Sequence, residues 1–288
     1  MPLDGGCINI VWHSIEATNQ TNSGDNDLNP SRTTQGLKDF VGKTAFVTGA
    51  GNGIGRAAAK LFAARGASVA VVDLNPETGM QTVNQIQAEG GTAIFIRADV
   101  SSEEAVEAAV QQTVATFGGL HCAFNNAGFT GQYVGFHTLS LEDWNRLIAV
   151  NLTSVFLCMK HQIAHMLKAG GGSIVNTSSG AGVVGAPGMP HYTAAKHGVL
   201  GLVKVAAKEF IGQNIRVNAI CPGVTDTPML RTFAGEGTEL ERALVSSLPG
   251  GRMGRPEEIA EAAVWLSSDA ASFVSGESML VDAASVCR

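Results

Sequence analysis

The chain has 288 residues, 45% of them apolar and 15% charged, enough to build a sizeable core and to exclude global disorder. A net charge of −6 with no basic patch or polybasic run argues against nucleic acid or an anionic membrane surface as the main partner. The five cysteines (Cys7, Cys122, Cys158, Cys221 and Cys287) are widely spaced, without a Cys-x-x-Cys pair, so a reduced cytoplasmic setting is expected rather than a disulfide framework.

Residues 1–36 read as a flexible N-terminal extension. Thr18 to Gln35 is almost devoid of apolar side chains and cannot offset its own ordering entropy. Ile8 to Trp12 offers a short strand that could dock elsewhere, against the plainer reading of a loosely held tail. No basic residue precedes Arg32, the apolar patch from Cys7 to Trp12 is short for a signal peptide, and no uninterrupted apolar run reaches the roughly 18 residues of a membrane span.

From residue 37 to 288 strands and helices alternate. Thr44–Thr48 reads as a buried strand, followed by Gly49-Ala-Gly-Asn-Gly-Ile-Gly55 and an Ala-rich helix to about Arg65. A second strand runs from Ala67 to Asp73, and Pro76 opens a helix at a position that tolerates proline. Ala93–Ile96 is a third strand, ending at Asp99 and Val100, and Ser101-Ser-Glu-Glu104 starts a helix with acidic residues in its first turn. His121–Phe124 runs into Asn125-Asn-Ala-Gly128. One long helix then carries Trp144, Leu147, Ile148 and Leu152 through Met159 and Met166. Ser173–Asn176 is the fifth strand, Ile215–Ile220 the sixth and Met279–Val281 the last, with a helix over Glu257–Leu266. The pattern predicts one α/β domain, a Rossmann-like doubly wound parallel sheet of about seven strands with helices on both faces.

Three features carry chemistry. The glycine turn Gly49-x-x-x-Gly53-x-Gly55 lies between a strand and a helix, where small residues let the backbone approach a pyrophosphate and the helix N-terminus offers N–H groups. Asp73 ends the second strand, where a carboxylate can hydrogen-bond a ribose 2′-hydroxyl and repel a 2′-phosphate; the competing reading is a turn cap. Nothing basic stands at Asn52 or Leu74, so the expected cofactor is NAD rather than NADP. Tyr192 and Lys196 are one turn apart on a helix face. A free phenol titrates near pH 10, and an ammonium held close favours the phenolate a neutral-pH base needs. His161 and His165 share the i, i+4 spacing of metal ligands but lack a carboxylate in the metalloprotease position, so no metal is expected.

Together Thr48-Gly49-x-x-x-Gly53-x-Gly55, Asp99-Val100, Asn125-Asn-Ala-Gly128, Asn151, Ser179, Tyr192-x-x-x-Lys196 and Pro222-Gly223-x-x-x-Thr227 resemble the short-chain dehydrogenase/reductase family over about residues 37–282. The resemblance implies that Tyr192 is the general acid/base and that Lys196 lowers its pKa and binds the nicotinamide ribose. It implies further that Ser179, rather than the neighbouring Ser178, holds the substrate oxygen, and that Asn151 anchors a water. The cofactor would be met by Gly49, Asn52, Gly53, Ile54 and Gly55, by Asp73 and Leu74, by Asp99 and Val100 at the adenine, and by Asn126, Ala127 and Gly128. Pro222, Gly223, Thr225 and Thr227 would cover the nicotinamide. His191 is left at most a marginal role.

The family also implies a homotetramer, with Cys158, Met159, His161 and Met166 on or near a subunit contact. A mobile lid would span Val224 to about Pro249, with Met229, Leu230, Phe233, Leu240, Leu244 and Val245 able to close over a nonpolar molecule. Phe129, Val183, Val184 and Met189 are candidate pocket walls. Where many relatives end on Val-Asp-Gly-Gly, this chain reads Val281-Asp-Ala-Ala284. The expected activity is NAD-dependent hydride transfer between nicotinamide and a secondary alcohol or ketone, with a lean toward cyclic alcohols and diols. The alternatives are an NADPH-dependent 3-oxoacyl-carrier reductase and a non-catalytic dinucleotide sensor on the same fold.

Overall fold

In the computed structural model, which describes residues 38–287, seven strands run parallel in one sheet of order β3-β2-β1-β4-β5-β6-β7. They are β1 (Thr44–Thr48), β2 (Ser68–Asp73), β3 (Thr92–Arg97), β4 (Cys122–Asn125), β5 (Gly172–Thr177), β6 (Ile215–Pro222) and β7 (Ser278–Val281). β1, β4 and β6 are buried along their whole length, which is why they read as unbroken apolar runs rather than alternating ones. Pairing puts Phe46 beside Ala70 and Ala123. The extension over residues 1–36 lies outside the described residues.

Helices cover both faces. On one, α1 (Gly53–Ala64), α2 (Pro76–Ala88) and α9 (Pro256–Ser267) join the sheet in a core that includes Ala59, Phe62, Ile86, Ile259 and Val264. On the other, α3 (Glu103–Phe117), α5 (Ser154–Ala169) and α6 (Pro190–Phe210) contribute Val110, Met159, Ile163, Val199 and Val203. Cys158, Met159 and Met166, expected on or near a subunit contact, are buried in the chain's own core. The outward side of α5 carries Phe156 and Leu167.

The helix predicted from Trp144 to Met166 is continuous over Leu141–Ala169, but it is not uniform. α4 (Leu141–Ile148) and α5 are joined by a π-helical turn, Ala149–Thr153, with Asn151 inside it. By length and composition this stretch is apolar enough to cross a membrane, with a best-window mean hydropathy of 1.3, yet half of that window is buried inside the protein. The core accounts for that buried half. Two further helices, α7 (Pro228–Ala234) and α8 (Glu239–Ser246), form the segment expected to be a lid.

The strand order turns back between β1 and β4. In open α/β sheets the crevice at the carboxyl ends of such neighbouring strands is where ligands bind.

Candidate active site

The glycine turn has the shape its sequence predicts. Gly49 and Gly53 take φ values of +61° and +51°, which side-chain-bearing residues rarely adopt. A Cβ on Gly55 would lie 2.1 Å from the Gly49 carbonyl oxygen, so helix and turn can pack this closely only around a glycine. Asn52, the N-cap of α1, makes no side-chain cap, whereas Asn75 caps α2 and Ser102 caps α3. The N–H groups of the first α1 turn are therefore left for another acceptor, and a dinucleotide pyrophosphate fits that cradle.

Asp73 sits at the end of β2 against this turn. Its carboxylate accepts hydrogen bonds from Gly51 N (2.7 Å) and Asn75 N (2.9 Å), so it caps the turn while bringing negative charge to the cradle's edge. Arg56, a cation missed by reading only positions 52 and 74, reaches the same corner. Its guanidinium donates to the carbonyls of Gly51 and Thr78 and to Thr82 Oγ1, which holds it within the protein. Asp99 is exposed and accepts from Ser101 N and Oγ; Val100 is buried beside it in the chain. Leu74 is exposed.

Asn126 ties three strand ends together. Its side-chain Nδ2 donates to the Thr48 and Gly49 carbonyls, its backbone N–H donates to Thr48 Oγ1, and Thr177 Oγ1 donates to its side-chain Oδ1. Ala127 N also donates to Thr48 Oγ1, and Gly49 passes so near that a Cβ there would be 2.9 Å from Ala127 Cα. Gly128 borders Asn151. Beneath lies a buried amide network absent from the sequence expectations: Asn125 and Gln162 exchange hydrogen bonds of 3.0 and 2.7 Å, and Asn125 donates to Asn176 at 2.9 Å. Polar groups on buried strands needed such partners, but their pairing across β4, β5 and α5 could not be read locally.

The four expected catalytic residues converge on one end of the sheet. Ser179 follows β5; its hydroxyl accepts from Ala181 N at 3.1 Å and stands near enough to the Tyr192 phenol to act on its pKa. Ser178 is buried and donates to the Lys196 carbonyl at 2.9 Å, so it fastens α6 to the strand end. Lys196 is 3% exposed; its Nζ donates to the Thr177 carbonyl at 2.8 Å and lies 5.6 Å from the centre of the Tyr192 ring. Burial brings its pKa down to about 8. The Tyr192 pKa is raised, chiefly by burial, with the nearby Ser179 hydroxyl acting the other way. Asn151 uses its side chain on the backbone of Phe129, accepting from its N–H at 3.0 Å and donating to its carbonyl at 2.7 Å.

A cavity of about 520 Å³ is lined by Asn52, Gly128, Phe129, Asp143, Arg146, His191, Pro228, Met229 and Thr232 among others; Ser179, Tyr192 and Lys196 are not among its walls, and it meets their neighbourhood through Gly128, which borders Asn151, and His191, which precedes Tyr192. Phe129 and Met229 were expected there; Val183, Val184 and Met189 are not among its walls. Thr227 caps α7 by accepting from Leu230 N, and Thr225 donates to the Gly223 carbonyl, so the segment after Pro222 folds back over the strand ends. Arg231 on α7 pairs with Asp226 at 2.8 Å, a nearer partner than Glu236 at 3.6 Å. Among the described residues no cluster of three or more histidine, cysteine or acidic side chains could hold a metal ion.

Residues 49–283 match the family model described as Enoyl-(Acyl carrier protein) reductase. The chain is 49% identical over 247 residues to a 2,5-dichloro-2,5-cyclohexadiene-1,4-diol dehydrogenase of Sphingobium indicum, covering 85% of this chain and 98% of that protein. It is 45% identical to a cyclohexanol dehydrogenase of an Acinetobacter species, over 85% and 95% of the two chains. The crystal structure of levodione reductase superposes with a TM-score of 0.82 at 33% identity, over 86% of this chain and all of that one. With the glycine cradle, the Ser179–Tyr192–Lys196 cluster and the sheet order already in place, these matches show that the chain belongs to the short-chain dehydrogenase/reductase family.

Proposed function

We propose that the protein is an NAD-dependent dehydrogenase of cyclic secondary alcohols or diols, working reversibly with the corresponding ketones. The observation that carries the reading is the cluster in which the buried Lys196 has its Nζ 5.6 Å from the centre of the Tyr192 ring, with the Ser179 hydroxyl near the phenol. The relatives, a cyclohexadienediol dehydrogenase and a cyclohexanol dehydrogenase, support a ring alcohol as substrate.

When bound, the nicotinamide ring supplies the hydride acceptor or donor at the reacting carbon. The chain manages the proton at the substrate oxygen. Tyr192 Oη gives its proton to the carbonyl in reduction and takes the hydroxyl proton in oxidation. Ser179 donates to the same oxygen and stabilises charge as it develops there. Lys196 keeps a positive charge beside the phenol and is the group to meet the nicotinamide ribose. Phe129, held by Asn151, and Met229 on α7 give the cavity its apolar walls.

NAD is favoured over NADP by the Asp73 carboxylate at the cradle edge, with Arg56 taken up by backbone carbonyls and Thr82. The matched family model's name recommends an acyl-carrier reductase as the second reading. Against it stand Asp73 and the pairing of the lid cation Arg231 with Asp226. A cytoplasmic homotetramer without nucleic-acid or membrane partners is the assembly we propose. It is supported by the net charge of −6 and by exposed apolar residues on α5, α6 and α9: Phe156, Leu167, Val205 and Trp265. Initial rates with NAD and NADP across cyclohexanol, cyclohexanediols and a 3-oxoacyl thioester test the reading. NAD-dependent oxidation of the ring alcohols supports it, and NADPH-dependent turnover of the thioester alone rejects it.

A further inference from the structure

Ser179 is placed by the short turn that follows it. Its hydroxyl accepts from Ala181 N at 3.1 Å and its carbonyl from Gly182 N at 2.8 Å, so the serine moves with the turn Gly180–Gly182. One flank of that turn is wedged against α6. A Cβ on Gly182 would lie 2.2 Å from Ser178 Oγ and 2.9 Å from the Lys196 carbonyl oxygen. The other flank faces the segment after β7. A Cβ on Gly180 would lie 3.2 Å from Val286 Cγ1 and 3.9 Å from Val286 Cγ2, with the Pro222 carbonyl oxygen at 3.7 Å. Apart from its chain neighbours, the atoms nearest to that position belong to Val286 and Pro222.

The segment after β7 is folded so as to bring Val286 there. β7 ends at Val281, and Asp282 packs on Gly223, where a Cβ would lie 2.8 Å from Asp282 Cα. The backbone then turns back through left-handed conformations at Ala283 and Ala284. Asp282 fastens this turn. Its carboxylate accepts from Ala284 N at 3.1 Å and Val286 N at 2.9 Å, and its carbonyl accepts from Ser285 N at 3.1 Å. Strained backbone persists only where its surroundings over-determine it, and such strain gathers at functional sites. Here it aims a half-buried valine at the residue next to Ser179.

Resting on the proposed role of Ser179 as donor to the substrate oxygen, we infer that Val286 is a positioning residue whose methyl groups brace Gly180 and so fix where the Ser179 hydroxyl stands. A donor stabilises developing charge only within hydrogen-bond reach of the reacting oxygen, about 2.7–3.1 Å. A small movement of the turn therefore slows the chemical step more than it weakens binding. The brace serves kcat rather than cofactor affinity.

The test uses the full chain and reads kcat with NAD and cyclohexanol, NAD affinity, and amide hydrogen exchange of the Gly180–Gly182 turn. Val286→Ala keeps the N–H that Asp282 holds and removes both methyl groups of the brace. Its kcat is expected to fall about tenfold at an NAD affinity within about twofold of wild type, with faster exchange at Ala181 and Gly182. Val286→Ile, which keeps both branches, retains most of the activity. Gly180→Ala crowds Val286 from the other side and also lowers kcat, and it carries the same test should Val286→Ala not fold. Combining Gly180→Ala with Val286→Ala recovers turnover, because the added methyl fills the vacated space. In a Ser179→Ala background, Val286→Ala has no further effect on kcat. The inference is overturned by unchanged kcat or exchange in Val286→Ala, or by an equal fall with and without Ser179, which marks the valine as packing. Exchange needs no substrate, so faster exchange in a protein that turns over no ring alcohol rejects the proposed activity and not the brace.

Discussion

Lys196 stands one helical turn from Tyr192, with its Nζ 5.6 Å from the centre of the phenol ring, yet its ammonium donates to the Thr177 carbonyl at 2.8 Å. Both side chains are held in surroundings that disfavour their charged forms: the lysine is lowered to about 8 and the tyrosine is raised. In this arrangement the phenol keeps its proton at neutral pH, ready to act as an acid, and the nearby Ser179 hydroxyl is what favours the anion.

The buried lysine makes stability depend on pH in a defined direction. Its folded pKa of about 8 lies below the usual 10.5, so between those values the unfolded chain binds a proton that the folded chain lacks. Unfolding free energy should therefore rise with pH, by at most about 1.4 kcal/mol per unit from this group. Tyr192, shifted upward, opposes this only above its ordinary value near 10. Urea unfolding of the ligand-free wild type and Lys196→Met between pH 8 and 9.5 isolates the effect. Wild type is expected to gain on the variant as pH rises; a difference flat in pH contradicts it.

Asp73 has two jobs that one substitution separates. Asp73→Ala removes the acceptor for Gly51 N and Asn75 N as well as the charge that would repel a 2′-phosphate. A stability loss of about 1–3 kcal/mol is expected, together with a fall in the NAD over NADP ratio of kcat/KM by about tenfold or more. Loss of stability with an unchanged cofactor ratio would leave the carboxylate as a turn cap only.

The last turn of the chain stores strain. Ala283 and Ala284 take φ values of +49° and +66°, held there by Asp282, whose carboxylate accepts from Ala284 N and Val286 N. Left-handed backbone costs a side-chain-bearing residue roughly 1–2 kcal/mol, part of which glycine returns as unfolded-state entropy. Ala283→Gly and Ala284→Gly are each expected to stabilise the protein by about 0.5–1 kcal/mol in urea unfolding. Destabilisation by either would show that the methyl groups make contacts worth more than the strain.

Much of this molecule was readable beforehand because its signals are local. Buried strands such as β1 and β6 show as short apolar runs, and the glycines at 49, 53 and 55 mark a turn that only glycine can close. What was not readable depends on contacts between distant segments. The π turn around Asn151 has an ordinary helical sequence, and only its side-chain clamp on Phe129 reveals the local purpose. The core positions of Cys158 and Met166 required knowing which neighbour covers α5. The direction of Lys196 depended on Thr177, and the room for the His191 ring on a glycine sixty residues away in the chain.

The central claim is that Tyr192 transfers the proton during hydride exchange with NAD, and its most direct test is turnover and NAD binding in Tyr192→Phe. The phenylalanine keeps the ring near Lys196 Nζ and deletes only the hydroxyl beside Ser179. The expected result is a fall in kcat for ring-alcohol oxidation of about 10²–10⁴-fold, with NAD affinity changed little. Turnover within a few-fold of wild type, at unchanged NAD affinity, would contradict the assignment of Tyr192 as the acid/base.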